Sequence, residues 1–192
     1  MRVLIVHASR YGSTQGIAER IAATLSQHGI ETTVKPVRDA GDPSAYDAVV
    51  IGSAAYYFHW MKRATAFVHR NRVALAERPV WLFSSGPLGT KTTDAQGRDL
   101  LTVTVPREIT EFTEAIHPRD HRVFFGALHR DKLGFTHGLV FKLFTKADDP
   151  LLPDGDFRDW NDIDAWAVKI AESLKAASDV AASAAHKTEV PA

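Results

Sequence analysis

The chain opens on an unbroken apolar run, Val3-Leu4-Ile5-Val6, that His7 and Ala8 extend. Without polar alternation, such a run suits a strand buried on both faces, as in a parallel sheet. A helix follows, with Ile17, Ala18, Ile21, Ala22 and Leu25 at helical spacing and Gly29 placed to cap its end. Glu31 to Lys35 reads as a second, more exposed strand, suited to a sheet edge, and Asp47 to Gly52 as a third, buried one. Ala64, Phe67, Val68 and Leu75 mark one further helix, Pro79 to Ser84 a fourth strand, and Arg122 to Gly126 a fifth. Pro106 suits the first residue of a helix that buries Ile109, Phe112 and Ile116. Asp159 or Asn161 can cap a last helix whose stripe is Ile163, Trp166, Ile170 and Leu174.

Strands alternating with helices predict an α/β fold: a doubly wound, five-stranded parallel sheet, order 2-1-3-4-5, with helices on both faces. Ligands bind such sheets outside the carboxyl ends of the strands, where the order switches between strands 1 and 3. Three loops converge there: residues 9–14, 53–60 and 84–91. Two segments break the repeat. Residues 127–157 form an insert before the last helix, longer than an ordinary connection. The Ala-rich stretch 176–192 reads as a flexible tail, which leaves 1–175 as the domain.

Composition narrows the function. The 192 residues suit one domain, and 45% hydrophobic residues suffice for a full core. Lys+Arg and Asp+Glu balance at 23 each, so no net field favours nucleic acid. With no cysteine there is no disulfide, thiolate metal site or Cys nucleophile, and no His–carboxylate cluster has metal-ligand spacing. No apolar run approaches the roughly 20 residues of a spanning helix, and the first residues do not form a signal peptide. A soluble, cytoplasmic protein is expected.

The first loop carries the strongest chemical signal. Ser9-Arg10-Tyr11-Gly12-Ser13-Thr14 leaves a buried strand and opens a helix, so several backbone N–H groups and the helix dipole converge on one spot. The Ser9, Ser13 and Thr14 hydroxyls can add donors, and Gly12 permits close approach of the backbone. Neutral donors of this kind suit a phosphate monoester. The rival phosphate motifs fail: there is no G-x-G-x-x-G, and Gly89-Thr90-Lys91 lacks Walker A spacing.

The stretch from Ile5 to Ile21 resembles the FMN signature of the flavodoxin family, matching it at Ser9, Gly12, Thr14, Ala18 and Ile21. It departs at His7, where Phe or Tyr is usual; His7 is expected to be a satisfied residue at a strand end. The resemblance implies a flavodoxin-like fold and FMN as cofactor. A flavin ring needs stacking surfaces, and Ala54-Ala55-Tyr56-Tyr57-Phe58-His59-Trp60 can supply them. Tyr57 is the first choice, with Tyr56 and Trp60 as alternatives. In the third loop, Ser85-Gly86-Pro87-Leu88-Gly89 can bring N–H groups to the polar edge of the ring.

Gly52 to His59, Phe124 to Leu128 and Asp156 to Trp160 are similar to the quinone-dependent protoporphyrinogen oxidase (protoporphyrinogen IX dehydrogenase) branch of that family. Tyr57 and His59 fall on its Tyr-x-His, and the insert stands where that branch carries one; Gly86 to Gly89 departs from it. The branch implies an FMN-dependent oxidoreductase acting on a porphyrinogen with a quinone acceptor. His59 could pass protons or hydrogen-bond a loop carbonyl. Residues 132–146 mix Phe135, Leu139 and Phe141 with Lys132, Lys142 and Lys146. Such a segment suits contact with the inner membrane face, a lining for a flat substrate or quinone, or plain packing. Two other functions stand beside the enzyme. A flavodoxin-type electron carrier sits poorly with zero net charge, and a non-catalytic module with an intact phosphate loop.

Overall fold

The protein is described by a computed structural model covering residues 1–129 and 153–188, with side chains to Asp179. In chain order the elements are β1 (Arg2–Ala8), α1 (Ser13–Gln27), β2 (Glu31–Pro36), β3 (Ala48–Tyr56), β4 (His59–Trp60), α2 (Lys62–Arg70) and α3 (Arg72–Ala76). Then come β5 (Val80–Ser85), α4 (Leu100–Val103), α5 (Glu108–Ile116), β6 (Asp120–Phe124), β7 (Ala127–Leu128), β8 (Gly155–Asp156) and α6 (Trp160–Thr188).

Five strands pair in parallel in the order β2-β1-β3-β5-β6, which is the expected 2-1-3-4-5. Ile5 lies between Val34 and Val50, and Ile51 pairs with Leu82. Side chains alternate across each strand, so both faces of the central strands are covered. Val3, Ile5, Val50 and Phe83 meet α1 and α6 through Ile21, Leu25, Trp166 and Ile170. Leu4, Val6, Ile51 and Leu82 meet the opposite layer through Phe67, Leu75 and Phe112. This double burial is why β1 reads as an unbroken apolar run. β2, with one neighbour, keeps its residues half-buried or exposed.

Several boundaries differ from expectation. The single helix through residues 64–75 is two helices, because Asn71 turns the same Phe67 carbonyl into an acceptor for both its backbone N–H and its side-chain Nδ2. Pro106 lies outside α5, which begins at Glu108. The fifth parallel strand starts at Asp120 and ends at Phe124, in register with Trp81 to Ser85. The segment from Ala176 to Thr188, expected as a flexible tail, continues α6 as helical backbone. Asp159 caps α6, accepting from the N–H groups of Asn161 and Asp162. The expectations for 132–146 lie outside the described residues, which hold no helix long and apolar enough to cross a membrane.

The reading along the chain missed β4. Tyr56 pairs with His59 in an antiparallel hairpin, and the two turn residues, Tyr57 and Phe58, have φ of 50° and 64°. Positive φ at both central positions is the geometry that Asn-Gly usually supplies. Two aromatic residues held there store backbone strain, which clusters at functional sites.

Candidate functional site

A cavity of about 440 Å³ opens at the carboxyl ends of β1, β3 and β5, where the strand order switches. Residues of all three expected loops line it: Ser9, Tyr11, Ser13 and Thr14; Ala54 to Tyr57; Ser85 to Leu88. Gly126, Ala127 and Leu128, which follow β6, close a fourth side. The sequence reading missed this wall, although a fifth parallel strand implies a fifth carboxyl-end loop.

The first loop suits an anion. Gly12, with φ of 91°, stands at the N-cap of α1 and has no side chain to satisfy the first-turn amides. Ser9 Oγ accepts from Gly12 N at 3.0 Å, so its own proton remains to be donated. Thr14 Oγ1 is fully buried, borders the cavity and has no hydrogen-bond partner among the described residues. A buried hydroxyl without a partner is costly, and a phosphate oxygen would satisfy it. Ser13 differs from expectation. Its Oγ accepts from Ala127 N at 2.9 Å and meets Ser85 Oγ at 3.1 Å, so it braces three loops together.

The third loop also differs. Gly86 N–H donates to Phe124 O at 3.1 Å, so it is spent on the neighbouring strand end and not on a ring edge. Gly89, with φ of 98°, lies near Pro153 and outside the cavity lining. Gly126 N–H donates to Pro87 O at 2.8 Å, which fastens the third and fourth loops. Three of the lining residues, Ala54, Ala55 and Gly86, are small and leave room beside them.

The aromatic residues divide by exposure. Tyr57 is 93% exposed on its strained turn, and Phe58 is half exposed. The Tyr56 hydroxyl is pushed up in pKa by desolvation and by Tyr11, so it stays a proton donor. Trp60 is buried, its ring 5.3 Å from Phe112, and belongs to the core and not to the cavity. His59 is outside the cavity too. Its Nδ1 lies 2.8 Å from Glu108 Oε1 on α5, and Trp60 N–H donates to the other oxygen of the same carboxylate. The imidazole thus meets a carboxylate, where a proton relay or a bond to a loop carbonyl had both been open. Arg10 faces an adjoining groove with its guanidinium over the Tyr11 ring, and Gly12 borders a smaller recess beside Arg158.

Two side chains that the sequence reading did not single out support the loop. Arg63 Nη2 donates to Ser9 O at 2.5 Å, and Arg158 Nη1 to Ser13 O at 3.2 Å while its guanidinium lies 4.3 Å from the Trp160 ring. No local motif announces either, since each reaches the loop from a distant element. His7 departs from the satisfied residue expected there. It is buried, and its Nδ1 has no partner among the described residues. Desolvation, with Arg63 adding, lowers its pKa and keeps it neutral despite the opposing charge of Glu19. Among the described residues no group of three or more His, Asp or Glu could hold a metal ion.

The fold and site define an α/β protein with a cavity at the topological switch of a parallel sheet. The model of the family described as Flavodoxin domain matches residues 4–150, and the chain belongs to that family. It is 33% identical over 86 residues to protoporphyrinogen IX dehydrogenase [quinone] of Escherichia coli strain K12, covering 44% of this chain and 48% of that protein. The same figures hold for the O157:H7 protein, so the match spans about half the length of these curated relatives. Among solved structures, a flavodoxin from the domain Archaea aligns over 91% of this chain and 99% of its own, with TM-score 0.55 and 17% identity. Flavodoxin 2 from Bacillus cereus aligns over 90% and 99%, with TM-score 0.56 and 19% identity. These structural likenesses concern the fold alone.

Proposed function

We propose that this chain is an FMN-dependent oxidoreductase that oxidises a porphyrinogen-type substrate, protoporphyrinogen IX first among candidates, with a quinone as acceptor. One observation carries the cofactor: the fully buried Thr14 hydroxyl, without a partner among the described residues, beside the uncapped first turn of α1 at the switch-point cavity. The substrate class rests on the partial likeness to the dehydrogenase and is correspondingly the part to test second.

FMN, when bound, supplies two-electron oxidation and passage of electrons to a quinone. The chain's residues bind and orient. Ser9, Thr14 and the first-turn amides hold the phosphate, and the small residues Ala54, Ala55 and Gly86 leave room for the ring. Tyr56 and Tyr57 offer ring faces at the mouth, and the protonated Tyr56 hydroxyl can donate to an electron-rich edge. His59, held by Glu108 outside the cavity, fits a clasp on the hairpin better than the proton relay expected from the sequence.

The first experiment is the absorbance spectrum after adding FMN and removing the excess by gel filtration. Flavin retained by the parent and lost in Ser9→Ala/Thr14→Ala supports the site; no retained flavin overturns the reading. Turnover of protoporphyrinogen with a quinone then separates the enzyme from a flavodoxin-type electron carrier. A carrier would show a stable one-electron flavin and no turnover.

A further inference from the structure

The formal charge of the chain is zero, yet its cations are not evenly spread. A groove of about 490 Å³ adjoins the cofactor cavity, and Tyr56 is common to the walls of both. Arg10, Lys62 and Arg63 line the groove, together with His59, Trp60 and Met61, and no carboxylate does so among the described residues. Glu108, which contacts the groove residues His59 and Trp60, is held ionised by His59 Nδ1 and Trp60 N–H against the opposing pull of burial.

The placement of two of these cations is unfavourable for folding. Lys62 and Arg63 are the first residues of α2, a nine-residue helix with no acid in its first turn and no side-chain cap from Met61. Cations beside the positive end of a helix dipole destabilise it. Arg63 is fixed by its bond to Ser9 O, and Arg10 is stacked on Tyr11. Three cations and a bare helix end thus converge on one groove that adjoins a largely apolar cavity.

Building on the oxidoreductase reading above, we propose that this groove is the carboxylate-binding arm of the substrate site. The substrate is then a largely apolar ring molecule that carries carboxylates at its edge. Its ring lies at the cavity mouth against Tyr56, and its carboxylates reach Lys62, with Arg10 and Arg63 completing the positive field. The carboxylates relieve the repulsion that Lys62 and Arg63 exert on the end of α2, so the groove selects acids over their neutral esters.

The test uses the full chain loaded with FMN and, as redox-inert probes, mesoporphyrin IX and its dimethyl ester in non-ionic detergent. Binding is read from the porphyrin absorbance band. The diacid should bind about tenfold more tightly than the diester, with the advantage shrinking as salt is raised. Lys62→Glu should remove about three- to tenfold of diacid affinity and leave the diester unchanged. Arg72→Glu, which changes the net charge equally outside the groove, should leave both unchanged. Equal binding of the two probes, no binding of either, or equal losses for both with Lys62→Glu would overturn the proposal. A diacid affinity that Lys62→Glu leaves intact would overturn it as well. Flavin retention is recorded in the same samples. Loss of the cofactor reading shows as no bound flavin, and loss of this inference as probe binding blind to charge.

Discussion

The indole Nε1–H of Trp60 donates to Ser84 Oγ at 2.8 Å, and the same hydroxyl meets His121 Nε2 at 2.9 Å. With a neutral imidazole, Ser84 Oγ accepts from the indole and donates its own proton to His121 Nε2. The network joins β4, β5 and β6 beneath the site and fixes where the Tyr57 turn leaves the sheet. Burial lowers the His121 pKa from 6.5 to about 4 despite the nearby Asp120 carboxylate. The unfolded chain therefore takes up this proton at higher pH than the folded one, and stability falls as pH drops from 6.5 towards 4. The contribution is on the order of 3 kcal/mol across that window. Urea unfolding at pH 4.5 and 7 should show a smaller pH difference in His121→Gln than in the parent; an unchanged difference would rule the network out as its source.

Gly52 owes its identity to Phe83. A Cβ at position 52 would stand 1.9 Å from Phe83 Cζ in the centre of the sheet. Gly52→Ala should lower stability by about 3 kcal/mol, since a core strand cannot move aside. In a Phe83→Leu background the same change should do less harm, with a coupling of about 1–2 kcal/mol in thermal or urea unfolding. Additive losses would mean that the ring is not what excludes the methyl group.

Thr14→Val separates binding from folding. The substitution keeps shape and removes a buried hydroxyl that has no partner among the described residues. The flavin-free protein should gain about 1 kcal/mol. FMN affinity should fall about tenfold, because one phosphate donor is lost. Calorimetry and flavin titration on one preparation check both signs. A variant that loses stability without FMN would show the hydroxyl to be structural.

Tyr57→Gly tests the strained turn. With φ of 50°, position 57 favours glycine, and the ring is almost wholly exposed. The variant should be as stable as the parent or gain up to about 1 kcal/mol without flavin, as relieved strain offsets the added freedom of the unfolded chain. Bound FMN should then lose its stacking face, seen as weaker quenching of flavin fluorescence. A variant that destabilises the flavin-free protein would place the ring in the fold and not at the ligand.

Much of the protein is determined locally. Val3 to Val6, Val49 to Ile51 and Val80 to Phe83 are unbroken apolar runs because strands covered on both faces have no polar side, so the parallel sheet and its switch point are legible in order along the chain. Ser9 to Thr14 is likewise legible, since a strand, a glycine turn and a helix start are consecutive. Other features arise only when distant residues meet. The Tyr57–Phe58 hairpin lacks the Asn-Gly that local turn chemistry would require, and is held through Trp60 by Glu108 and Ser84 from other elements. Ser13 becomes a brace only because Ser85 and Ala127 converge on it, and Gly86 spends its N–H on Phe124 for the same reason. The cationic groove is also invisible in a neutral composition, because Arg10 and Lys62 lie 52 positions apart (62 − 10) and packing alone brings them to one wall. Periodicity and turn chemistry act between near neighbours and are written in order along the chain; hydrogen-bond partners and fields depend on distances that only the folded sheet sets.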